Sequence, residues 1–130
     1  YNAAASSATV SNETTIGNSS TTSARIFGKL ALQNGSFVGI SSTIASASTI
    51  TPTADTTNQY TVTALATAAT IAIPTGTPVD GQRLTIRFKD NGTARALTWT
   101  TSAGGYRVIG VTLPTTTVLS KVLYVGCIYN

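Results

Sequence analysis

The chain reads as all-β: an antiparallel β-sandwich or jelly-roll-like C-terminal domain over residues 51–130, preceded over residues 1–50 by an extended, Thr/Ser-rich fibrous or arm-like segment. Three observations lead there. Thr and Ser together make up about 30% of the 130 residues, well above ordinary usage, and a β-branched side chain suits a pleated strand better than a helix. No long window places apolar residues at helical spacing. Turn-forming Gly, Pro, Asn and Asp recur roughly every ten residues between short alternating runs, as in antiparallel sandwiches and barrels.

The opening run "YNAAASSATVSNETTIGNSSTTSA" has only Val10 and Ile16 as large apolar residues. Alone it cannot bury enough apolar surface to offset its ordering entropy. It is therefore a linker, or it is ordered by wrapping around copies of itself or around the following domain. "RIFGKLALQNGSFVGISSTIASASTI" follows, punctuated by Gly28, Asn34-Gly35 and Gly39; Asn-Gly between apolar runs signals a hairpin. Fully extended, such a segment reaches on the order of 150 Å, which permits a trimerising stalk or arm.

From Thr51 the pattern tightens. "NQYTVTAL" puts Tyr60, Val62 and Ala64 on one face, and "ATIAIP" does the same for Ile71 and Ile73. Pro74, Gly76 and Pro78 fit a connecting loop. In "DGQRLTIRFKDNG" Leu84, Ile86 and Phe88 alternate with Arg83, Thr85, Arg87 and Lys89, the mark of a strand with one wet face. Asp90-Asn91-Gly92 then reads as a turn joining this strand to "ARALTW", where Leu97 and Trp99 share a face with Arg95. "SAGGY" is a further turn and "YRVIGVTLP" a further strand. "SKVLYVGCIYN" is apolar on both faces, with Val122, Tyr124 and Ile128 opposite Leu123, Val125, Cys127 and Tyr129. A strand of that kind is central in a two-layer fold or buried against another subunit. Leu123, Val125, Cys127 and Tyr129 are the candidate subunit interface.

Catalysis has little to work with. There is no His, which removes most triads and zinc sites. The acids are Glu13, Asp55, Asp80 and Asp90. Asp80 and Asp90 bracket one strand, about 30 Å apart if it is extended, too far for a glycosidase pair. Asp55 can approach either one in the fold. "DNGT" alone does not make a Ca²⁺ loop. The reading is a non-enzymatic protein with no cofactor and no metal. One Cys excludes an internal disulfide, and Cys127 sits in an apolar run as a small buried hydrophobe. The net charge of +4 comes from scattered cations without a nucleic-acid motif, so no nucleic-acid partner is expected. No apolar run reaches membrane-spanning length and no signal segment opens the chain, so no membrane insertion is expected. The absence of Met suggests a processed chain or a piece of a longer one.

Arg87, Lys89, Arg95, Trp99, Tyr106 and Arg107 are the candidate ligand or interface contacts. Aromatic faces stack on sugar rings, and guanidinium groups grip carboxylates bidentately. The plainer reading makes Trp99 core, since it continues the Leu97 face, and leaves the cations on a wet strand surface. The alternation favours the plainer reading for Trp99.

"PVDGQRLTIRFKDNGTARALTW" (78–99), "YRVIGVTLPTTT" and "KVLYVGCIYN" within 106–130 resemble a module of structural proteins of tailed bacteriophages, particularly tail-fibre and other virion appendage proteins. "ADTTNQYTVTALATAATIAIPTGTP" fits the same pattern, so the resemblance covers roughly residues 51–130. In such proteins the module continues past the final "IYN" toward another aromatic strand, which suggests that this chain is C-terminally truncated. "TTIGNSSTTSARIFGKLAL" is more loosely similar to the Gly-punctuated shafts of phage fibres. The resemblance implies a homotrimer on the virion exterior, as an appendage or on the capsid surface. Its implied partners are itself, other virion proteins and host cell-surface polysaccharide, and it carries over no catalytic residue. A tail-fibre or host-attachment component is the first expectation. A capsid-decorating (cement) or head-fibre protein is the alternative, and a carbohydrate-binding module of an adhesin stands outside that class.

Overall fold

The computed structural model describes Ser20 and residues 39–130, the latter within the compact unit Val38–Asn130. Of the stalk or arm expected over residues 1–50, residues 1–38, including the Asn34-Gly35 turn, lie outside the described residues, Ser20 apart. Among the described residues there is no helix and there are seven strands: β1 Ser41–Ile44, β2 Thr49–Ile50, β3 Gln59–Leu65, β4 Ala69–Ile71, β5 Arg83–Asp90, β6 Leu97–Trp99 and β7 Val122–Ile128. The all-β class is as the sequence predicts. Residues 41–50, grouped by the sequence with the preceding arm, contribute β1 and β2.

The pairing differs from the sequence expectation. A four-stranded sheet has the order β1-β3-β5-β7 and a three-stranded sheet the order β2-β4-β6. The chain thus alternates between sheets at each step from β1 to β7. Strands that pair are two apart in sequence, and all pairs among β1–β6 are parallel. Only β7 runs antiparallel, against β5. Asp90-Asn91-Gly92 is therefore a corner that carries the chain from one sheet to the other, not a hairpin. Gly92 has φ 92° there, which an L side chain adopts at a cost.

This winding stacks like on like. Inward rows form by register: Ile44, Val62 and Phe88 in the large sheet, and Ile50, Ile71 and Trp99 in the small one. Thr49, Thr70 and Thr98 form the matching outward row, exposed on all three strands. Stacked threonines suit a parallel ladder because each β-branched side chain rests on its neighbour. The coils are unequal in length, so the recurring Thr-Ile, Thr-Ile, Thr-Trp pairs do not announce themselves as a fixed-period repeat.

One apolar cluster joins the two sheets, with Ile50, Val62, Leu65, Ile71, Ile86 and Phe88 wholly buried. β3 reaches it through an irregularity between Val62 and Leu65, so Leu65 points inward and Ala64, expected on that face, is exposed. Corner loops stack as well: Ala54 N donates to Thr75 O and Thr75 N to Pro52 O, each at 2.9 Å. The residues 106–113, expected as a strand, form none; Val108, Ile109 and Val111 lie exposed in a loop. The segment that follows covers the edge of β6 instead. Leu97 N donates to Thr115 O at 2.8 Å and Thr117 N to Arg95 O at 2.9 Å, which shields an open strand edge from foreign pairing.

Candidate functional site

The candidate contacts fall into four places. The first is the outward face of the large sheet. Period-2 alternation turns Arg83, Thr85, Arg87 and Lys89 of β5 away from the core while Leu84, Ile86 and Phe88 turn inward. Register places Ile128, Gly126, Tyr124 and Val122 of β7 beside them in that order. On the other side of β5, Gln59 lies beside Thr85 and Thr61 beside Arg87. Arg87 Nε donates to the Tyr124 hydroxyl at 3.2 Å, and its guanidinium carbon stands 5.9 Å from the Tyr124 ring centroid, within cation–π reach.

The second place is the core. Trp99 is held by three contacts: its Nε1 donates to Pro114 O at 2.7 Å, Phe88 meets it edge-on, and Tyr106 does so at 4.9 Å between centroids. Tyr106 is itself 8% exposed. Burial, followed by the Cys127 charge, pushes its phenol well above the usual tyrosine range. These two aromatics stay with the packing and away from Arg87 and Lys89.

The third is an open groove of about 1050 Å³ lined by Ile73, Leu84, Tyr106, Ile109, Val125 and Cys127, among others. The buried Tyr106 hydroxyl has no hydrogen-bond partner among the described residues. Arg107 stands exposed on the groove wall. Ile109 is 94% exposed and Val111 69%. Burial pushes the Cys127 thiol up, the environment of an inert thiol.

Arg95 belongs to a fourth setting, the corner after β5, where its Nη2 donates to Asn91 Oδ1 at 3.1 Å. Asp90 dominates that corner. Its Oδ1 accepts from Gly92 N and Ser120 N, both at 3.0 Å, and its Oδ2 accepts from the Thr117 hydroxyl at 3.0 Å. Desolvation pushes this carboxyl up. The bonds from Ser120, Gly92 and Thr117, with the Arg95 charge, outweigh it and leave the pKa below the ordinary value. Asp55 Oδ2 accepts from Thr77 N at 2.9 Å. Asp90 is thus engaged through both oxygens, whereas Asp55 Oδ1 is buried without a hydrogen-bond partner among the described residues.

Of the residues proposed for a subunit interface, Leu123, Val125 and Cys127 pack against the chain's own core, and Tyr129 is about half exposed. The apolar residues of β7 that face outward are instead Val122, Tyr124 and Ile128. Sequence reasoning passed over Tyr124, Arg83 and the loop residues Ile109 and Val111. The alternation in β5 and β7 carried the signal for the first two. An apolar run broken by Gly110, with φ 74°, carried it for the loop.

Among the described residues no cluster of potential metal ligands occurs, and no helix is long and apolar enough to cross a membrane. No family model, no curated protein and no solved structure matches the chain.

Proposed function

We propose that the chain is a non-enzymatic structural component of a tailed-bacteriophage virion, acting as a homotrimer in a tail-fibre or host-attachment appendage. In this reading the two sheets over one core form a sandwich-like body, and the Ser/Thr-rich residues 1–50 form its fibrous arm. The exposed apolar loop carries the reading. Ile109 and Val111 stand in solvent beside a groove that Leu84, Val125 and Cys127 line. Exposed apolar surface next to a groove marks an interaction site, and copies of the same chain, related by rotation, supply a matching loop and groove. The resemblance of residues 51–130 to phage appendage proteins supports the virion setting. A capsid-decorating or head-fibre role shares the same self-association and differs in location.

Electron microscopy of purified particles labelled with antibody against this chain tests the reading. Label on the tail or its appendages is the expected result. Label spread over the capsid shell assigns the decorating role, and unlabelled particles overturn the virion reading.

A further inference from the structure

The outward face of the large sheet has a chemistry that self-association through the loop and groove does not use. Arg83, Arg87 and Lys89 share this face on one strand, Lys89 about 7 Å and Arg83 about 13 Å from Arg87 along it. Among the described residues none of the three acids bonds to them. Asp90 is bound by Gly92, Thr117 and Ser120, Asp55 by Thr77, and Asp80 lies exposed in the turn before the strand. Around the cations stand neutral hydrogen-bonding groups: Thr43, Gln59, Thr85 and the Tyr124 hydroxyl, with Thr61 buried beneath Gln59, whose Nε2 donates to its hydroxyl at 3.1 Å.

We propose that this face binds an acidic polysaccharide, a linear sugar polymer bearing carboxylates, with Arg87 as the anchor and Arg83 and Lys89 at its sides. Arg87 is oriented for the task. Its Nε is occupied by the Tyr124 hydroxyl, so the guanidinium presents its two terminal nitrogens, which match the two oxygens of a carboxylate. Arg83 and Lys89 meet flanking acidic groups as charges on flexible stems. Gly126, opposite Thr85, leaves a trough between the Arg83–Ile128 and Arg87–Tyr124 rows, and a Cβ placed there would meet nothing within 4 Å. The exposed flank of Tyr124, 59% accessible, supplies an apolar contact for a sugar ring, and the threonine and glutamine groups suit its hydroxyls. Charge complementarity selects a polyanion. On this face Tyr124 is the one exposed aromatic among the described residues, which argues against single-stranded nucleic acid, since that takes several aromatics in succession along a basic groove.

The inference deepens the attachment reading and rests on it for its biological setting alone. Titration calorimetry of the full chain with oligogalacturonate at low and physiological salt tests it. Neutral dextran and oligothymidylate serve as controls, and light scattering of the same sample reports its mass. Expected are binding that weakens with salt, a loss of about tenfold in Arg87→Ala, and a similar loss in the double variant Arg83→Ala/Lys89→Ala. Arg87→Lys, which keeps the charge and removes the two-pronged geometry, should recover only part of the affinity. Arg107→Ala, away from this face, should bind as the parent does. Absence of oligogalacturonate binding, equal affinity for dextran, tighter binding of oligothymidylate, or an equal loss in Arg107→Ala overturns the proposal. A trimer that fails to bind sinks the face and leaves the appendage reading standing; a monomer that binds does the reverse.

Discussion

Phe88 of β5 and Trp99 of β6 meet edge to face across the two sheets, their ring centroids 6.1 Å apart and their planes at 81°. Tyr106 continues the contact from the loop beyond, at 82° to the indole. Three aromatics thus join the large sheet, the small sheet and the groove wall. Trp99→Ala should destabilise the unit by about 3–5 kcal/mol, the range for large aromatic truncations in a core. Urea unfolding followed by circular dichroism measures it. A loss within about 0.5 kcal/mol, as at an ordinary surface site, would return Trp99 to the surface.

Asp90 ties the end of β5 to the residues that lead into β7. Its pKa is lowered in the folded chain, so its contribution is fully present above the unfolded carboxylate pKa and disappears as pH falls through the folded value. Thermal unfolding between pH 2 and pH 6 should show the midpoint falling below about pH 4. Asp90→Asn should start lower at neutral pH and lose the part of that slope due to this group. An unchanged slope would mean that other carboxyls govern the acid limb.

Gly105 closes the loop that carries Tyr106. A Cβ there would run into the carbonyl oxygens of Thr100 and Ser102, and Gly105 N donates to Ser102 O at 2.7 Å while Tyr106 N donates to Thr100 O at 2.9 Å. Backbone cannot yield as a side-chain tip can, so Gly105→Ala should cost about 1–3 kcal/mol. Calorimetric melting of the variant beside Gly126→Ala, where a Cβ meets nothing within 4 Å, provides the comparison. Equal melting temperatures would contradict the tight closure.

Ile109 has almost no contact with its own chain, being 94% exposed. Ile109→Asp should therefore leave the melting of a dissociated chain unchanged within about 0.5 kcal/mol. The same change should weaken self-association by at least tenfold, since it puts a charge into an apolar contact. Concentration-dependent light scattering reads the second effect and dilute-solution unfolding the first.

The β5 alternation was legible because a strand with one wet face writes its pattern at period 2: Leu84, Ile86 and Phe88 are all buried. By the same rule Trp99 was legible as facing inward, and it packs against the core while staying partly buried. Strand partners were not. Asp90-Asn91-Gly92 has the composition of a hairpin turn, and nothing local tells a turn that reverses within a sheet from a corner that crosses to another. Leu123, Val125 and Cys127 look like an interface because β7 is apolar on both faces. Only the antiparallel register against β5 shows which face meets the chain's own core. The outward cationic face was half legible: Arg87 and Lys89 stood in β5, while Tyr124 joined them only once β7 was placed beside it.

Sedimentation equilibrium of the full chain at micromolar concentration tests the claim of self-association most directly. A species of three times the 13.3 kDa chain mass is expected, with dissociation on Ile109→Asp. A single species of 13.3 kDa across the concentration range would contradict it.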